Sequence, residues 1–236
     1  LVYFCWLSLF LFFPSYTKPA TASGFRGLSF AQRKRTLAMA SPLTCVKREL
    51  FGGAITVEIP EGFEDISAFR QVPDNQECFA QVESDRSLLI EVLEFEKGQP
   101  NSSQAAEYMF MDIAEVNGSQ SNNIQVRESN LPKDQVPCLN NFEASSAHIV
   151  VGTQLVAKFR ESALNEVRVL LCDIRLPSVQ SELLITLNSP VALNPSSSSA
   201  TAVDQTTQSD SYSVELAIFR RVINSLKVVN KGLFGV

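Results

Sequence analysis

Two hydrophobic periods alternate along the chain from Leu50 onward. Residues 50–60 (LFGGAITVEIP) place apolar and polar side chains in turn from Ala54 to Ile59. That is the period of a strand, here entered through a turn or bulge at Gly52-Gly53. Pro60-Glu61-Gly62 ends the run, and residues 65–69 have the length of one helical turn. Residues 77–82 (ECFAQV) and 87–95 (SLLIEVLEF) predict two strands around a turn at Asp85-Arg86. The period then changes. Residues 102–116 repeat apolar side chains at helical spacing, with Ala106, Met109, Phe110, Ile113 and Val116 on one stripe. Ser102 or Ser103 supplies an N-cap, and Asn117-Gly118 a stop.

Residues 124–143 are polar and contain Pro132 and Pro137, which predicts a loop with room for one short strand. Residues 147–159 (AHIVVGTQLVAKF) predict a β-hairpin turning at Gly152-Thr153. Residues 167–176 and 182–188 predict another, joined across Pro177-Ser178. Residues 188–211 are rich in Ser, Thr and Asn and too poor in apolar side chains to offset the entropy of ordering them. Residues 214–228 predict a second amphipathic helix with Val214, Ile218, Val222 and Leu226 inward. Glu215, Arg220, Arg221 and Lys227 fall away from that stripe. Hairpins with two longer helices predict an α+β domain, an antiparallel β-sheet flanked by helices.

Charge divides the chain. The first 48 of its 236 residues hold seven basic side chains and no acid. That leaves 13 basic against 25 acidic residues from Glu49 onward, a net of −12. Nucleic-acid binding needs clustered Lys and Arg, so an acidic body argues against it and for a basic protein partner. Residues 1–13 are apolar except for Ser8. Thirteen helical residues span about 20 Å, short of a roughly 30 Å hydrocarbon core. The rest of the leader is basic and rich in Ser, Thr and Ala. Three readings stand for it: sequence upstream of a start at Met39, a transit or signal segment, or part of a membrane anchor. In each, residues 1–48 are a leader and residues 49–236 the folded domain, with a flexible Ser-rich loop at about 192–211. That domain is expected to touch no membrane and to be monomeric.

The five cysteines (Cys5, Cys45, Cys78, Cys138, Cys172) are scattered, with no CxxC pair, and read as free buried thiols. One histidine, His148, sits in an apolar stretch. No metal set, GxGxxG, GxxxxGK, GxSxG or HExxH motif occurs. We therefore expect no cofactor, no metal and no catalytic residue.

The specific signal lies in the order of several segments: LFGGAI (50–55), EGFEDISAFRQVPDNQE (61–77), SLLIEVLE (87–94), EYMFMDIAEVNG (107–118) and VRVLLCDIRLPSVQSELLITLNSP (167–190). A closing helix precedes GLFGV. This order resembles the family of the Ran guanine nucleotide release factor, with VPDNQE (72–77) the most specific piece. The resemblance implies a single PsbP-like sandwich domain that binds the small GTPase Ran, promotes nucleotide release without enzymatic chemistry, and supports nuclear import from the nucleus and cytoplasm. It also implies an acidic partner-binding patch at Asp74 and Glu77. Pro73 fixes φ, and Asp74-Asn75 favour a turn, so the segment reads as a rigid exposed turn entering a strand. Asp65, Asp74 and Glu77 then crowd one surface beside Arg70, and the candidate set is completed by Asn75 and Gln76. The rival readings are a PsbP-like structural or assembly protein of the thylakoid lumen, which would place the chain in the chloroplast if the leader is a working transit peptide, an enzyme with an unrecognised pocket, and a general adaptor.

Overall fold

The structure, a computed structural model, describes residues 43–99, 101–158, 161–198, 200 and 211–235. Most of the leader, Cys5 within it, and residues 201–210 of the Ser-rich loop lie outside the described residues. Among the described residues, no helix is long and apolar enough to cross a membrane.

Seven strands build the main sheet: β3 (Glu64–Asp65), β4 (Gln76–Gln81), β5 (Arg86–Glu94), β6 (Asn122–Glu128), β7 (Ser146–Ala157), β8 (Leu164–Leu176) and β9 (Ser181–Ala192). Their spatial order is β3-β4-β5-β9-β8-β7-β6, every pair antiparallel. A smaller sheet joins β1 (Cys45–Leu50), β2 (Ile55–Pro60) and β10 (Lys227–Val228) in the order β1-β2-β10. Helix α1 (Ser103–Val116) covers one face of the main sheet. Helix α2 (Ser211–Ser225) and the small sheet cover the other.

The two faces make two cores. Met109, Phe110 and Ile113 of α1 pack with Val150, Val169 and Leu171. Ile218, Phe219 and Val222 of α2 pack with Leu170, Cys172, Leu187 and the β2 side chains Ile55, Val57 and Ile59. Burying a side chain as large as Phe110 or Phe219 is worth about 1.5–3 kcal/mol over leaving it in water. The Ser102 hydroxyl caps α1 by accepting the Gln104 N–H at 3.3 Å. Gly118, at φ +61°, ends it and donates to the Glu115 carbonyl. Cys78, Cys138 and Cys172 are buried free thiols, and Cys45 is a half-buried one. Burial pushes the Cys138 thiol up to about 12, which leaves it inert.

Four expectations change. The boundary at residue 49 falls inside β1, so Cys45–Arg48 belong to the small sheet, where Cys45 pairs with Pro60. The hairpin expected at Gly152-Thr153 is one continuous 12-residue strand, β7. Gly152 is there for closeness: a Cβ on it would meet the Asn123 carbonyl at 2.5 Å and the Phe110 ring at 2.7 Å. Val116 and Val214 are exposed, while Ala105, Ala114 and Ile223 complete the buried helix faces. Glu215, expected away from the buried stripe, is fully buried. Its carboxylate pairs with Arg168 at 2.7 Å and accepts the Ser189 hydroxyl at 2.6 Å, with Arg86 at 3.9 Å.

Candidate functional site

The VPDNQE segment begins with a β-turn. The Gln76 N–H donates to the Pro73 carbonyl at 2.9 Å, leaving Asp74 and Asn75 exposed at the tip. Asn75 locks the turn onto β5. Its carbonyl accepts the Val92 N–H at 2.9 Å, and its side-chain amide donates to the Val92 carbonyl at 3.2 Å. The tip is therefore held by the ladder, and the Asp74 side chain is left for solvent. No hydrogen bond or ion pair among the described residues engages the Asp74 carboxylate.

Strand alternation then sends the next two residues to opposite faces. Gln76 is buried on the α1 side, where its amide donates to the Glu91 carboxylate at 2.7 Å. Desolvation raises the Glu91 pKa, against the opposing hydrogen bond from Gln76. Glu77 points towards the small sheet and is half-buried. Its Oε1 accepts the Phe51 N–H at 2.5 Å. Phe51 sits at φ +50°, followed by Gly52 at +62° and Gly53 at +90°. A left-handed aromatic residue is uncommon and needs support from outside. Glu77 supplies that support. Desolvation raises its pKa, the Phe51 N–H opposes the rise, and the charge of Asp65 adds to it.

Asp65 closes the arrangement. It pairs in β3 with Phe79, two residues beyond Glu77, and its carboxylate accepts the Ser67 N–H at 2.8 Å to cap a 3-10 turn, Ile66–Ala68. Arg70 follows that turn and is half-buried, its N–H donating to the Ile66 carbonyl at 3.1 Å. The structure thus brings Asp65 and Glu77 together, presents Asp74 and Asn75 beside them, and turns Gln76 to the other face. Sequence reasoning missed Phe51 and Glu91. The signal for Phe51 was the Gly52-Gly53 pair beside an aromatic residue. Nothing in one sequence marked Glu91 as the partner of Gln76.

Ionisable groups also gather beside Phe95, Glu96, Gln99 and Asn101. Arg175 is buried between Glu182, at 2.9 Å, and the Phe95 ring, at 4.5 Å, and donates to the Glu96 carbonyl at 2.9 Å. Asp173 lies on the same strand and pairs across to His148. The His148 Nδ1 accepts the Asn130 N–H at 3.3 Å, so the ring proton belongs on Nε2, which faces the Ser146 hydroxyl at 2.8 Å. Ser146 in turn donates to Asn101. That proton order runs opposite to the one a serine nucleophile needs. Among the described residues, no group of His, Cys, Asp and Glu is placed to hold a metal.

The family model described as "Ran-interacting Mog1 protein" matches residues 48–190. The chain belongs to the Mog1 family. It is 39% identical to the Ran guanine nucleotide release factor of Danio rerio over 193 residues, covering 80% of this chain and all of that one. It is 33% identical to the nuclear import protein mog1 of Schizosaccharomyces pombe, covering 79% of this chain and 98% of that one. The fold matches the crystal structure of the Saccharomyces cerevisiae Ran-binding protein Mog1p, with a TM-score of 0.59 at 20% identity over 81% of this chain and 99% of that one. A single α+β domain is therefore the fold of this Mog1 family member, as its sequence predicts.

Proposed function

We propose that this protein binds the small GTPase Ran through the turn carrying Asp74, promotes release of its guanine nucleotide, and supports nuclear protein import. Membership of a family described as Ran-interacting supports the partner. The names of the relatives, release factors and import proteins, support the outcome. The observation that carries the site is the Asp74 carboxylate, exposed on a rigid turn and engaged by no hydrogen bond or ion pair among the described residues. Rim carboxylates of this kind steer a basic partner and raise the rate of encounter.

The action needs no acid, base or nucleophile of its own. A protein that binds nucleotide-free Ran more tightly than loaded Ran weakens nucleotide binding by the same factor. A hundredfold difference requires only about 2.7 kcal/mol. Asp74 and Glu77 then face basic groups of the GTPase near its nucleotide pocket, competing with phosphate or disturbing the bound Mg²⁺. Such a factor works in the nucleus and cytoplasm.

The test is release of a fluorescent nucleotide from purified Ran, with a binding titration alongside. Asp74→Lys reverses one charge at an exposed position and leaves the fold intact. It is expected to weaken binding by about tenfold or more and to slow stimulated release. Unchanged binding and release by the folded variant removes the turn from the site.

A further inference from the structure

Nine large apolar side chains are exposed among the described residues, and two stand clear of the rest. Phe69 is 64% exposed and Val229 66%, while none of the others exceeds 47%. The two are 160 positions apart in sequence, yet both segments reach the surroundings of Glu77, Val229 through hydrogen bonds and Phe69 through the turn capped by Asp65, whose charge acts on Glu77. The Phe69 N–H donates to the Ile66 carbonyl at 2.9 Å, closing the same turn that Asp65 caps from the other end. The Val229 N–H donates to the Ala54 carbonyl at 2.8 Å, and the Ala54 N–H to the Phe51 carbonyl at 3.2 Å. The Phe51 N–H in turn is held by Glu77. Val229 is therefore tied to the segment that Glu77 holds, and Phe69 closes the turn that Asp65 caps.

Resting on the Ran-binding reading above, we propose that Phe69 and Val229 are apolar anchors of the surface that takes the GTPase, acting together with Asp74 and Glu77. Interfaces concentrate affinity in a few apolar, often aromatic, contacts that lose their water, with charged groups around them. Phe69 suits the first role and Asp74 the second. The rigid backbone beneath both apolar residues lowers the entropy lost on docking. Glu77 is then a positioning residue as well as a charge, because it fixes the Leu50–Ala54 segment against which Val229 is hydrogen-bonded.

The two roles separate in kinetics. Phe69→Ser is expected to weaken Ran binding about tenfold, chiefly through faster dissociation, and to keep that ratio at high salt. Val229→Ser is expected to weaken it about threefold. Phe69→Leu should retain most of the affinity. Asp74→Lys instead slows association, and its effect shrinks as salt screens the charge. Val214 is the control. It is 42% exposed beside Glu215, whose partner Arg86 begins β5 at the end opposite the Gln76–Glu91 pair. Val214→Ser is expected to bind like the parent protein. All serine variants are at exposed positions, and an unchanged unfolding midpoint verifies that they fold. Phe69→Ser and Val229→Ser that bind normally while Asp74→Lys does not would overturn the anchors and leave the binding site standing. Normal binding by all three would overturn the site itself. A loss in Val214→Ser equal to that in Phe69→Ser would also overturn the anchors.

Discussion

The Glu77 carboxylate holds the Phe51 N–H at 2.5 Å and so ties the VPDNQE turn to the LFGG segment, 26 positions earlier in the chain. A residue read as a surface charge is thereby also a backbone clamp. Removing a half-buried charged acceptor costs about 1–2 kcal/mol. Glu77→Ala should lower stability by about that amount in denaturant unfolding. Glu77→Gln keeps an acceptor and ends the repulsion with Asp65, so it should stay within about 0.5 kcal/mol of the parent. Equal losses in both variants would show that charge, not acceptance, matters at this position.

Gly152 tests the packing of α1 on the sheet. The positions a Cβ would take, 2.5 Å from the Asn123 carbonyl and 2.7 Å from Phe110, are closer than any side-chain carbon tolerates. Gly152→Ala should cost about 2–3 kcal/mol, in the range of overpacked cores. Phe110→Leu in the same chain should recover only part of it, since the Asn123 carbonyl is backbone. Full recovery would place the whole conflict on the ring.

The same glycine shows where the sequence was legible. Strand and helix periods located most elements because burial on one face leaves a direct trace in residue order, as in α1 and β2. Asp65 was read as the start of a turn, and Pro73-Asp74-Asn75 as a turn at a strand entrance, because local chemistry decides both. Gly152-Thr153 read as a turn because a glycine in a strand pattern does not say whether the chain bends or a neighbour comes close. The clamp from Glu77 to Phe51 and the burial of Glu215 involve partners 26 and 47 positions away. No period in one sequence encodes such partners.

Glu215 is the clearest instance. On α2 it is fully buried, with Arg168 at 2.7 Å and the Ser189 hydroxyl at 2.6 Å. Breaking a buried pair by removing one member strands the other and costs about 3–5 kcal/mol. Arg168 and Arg86 retain some access to water, which favours the lower end. Glu215→Leu should lose about 3 kcal/mol, and Arg168→Met combined with it should recover part of that loss. A Glu215→Leu variant as stable as the parent would mean that the helix is held by its apolar face alone.

The cluster of His148, Asp173, Arg175 and Glu182 sets a pH dependence with a definite sign. Burial, and then the Arg175 charge, lower His148 from 6.5 to about 4. The folded chain therefore binds fewer protons at this site than the unfolded one, and its contribution, present above pH 6.5, is lost as pH falls towards 4. Asp173 works the other way. Burial, and then the Glu182 charge, raise it from 3.8 to about 8 against the pull of Arg175. Its protonated form favours the fold, so that contribution is lost as pH rises towards 8. The two oppose each other between pH 4 and 6.5, while between 6.5 and 8 Asp173 acts without His148. Stability should fall by about 1–2 kcal/mol across that upper window, and Asp173→Asn, which carries no proton to lose, should remove the decline. Urea midpoints at pH 6.5 and 8 measure both. A decline of the same size in Asp173→Asn would assign it to another raised carboxyl, such as Glu91 or Glu182. No decline in the parent would mean that Asp173 is already ionised in the folded chain, held so by Arg175.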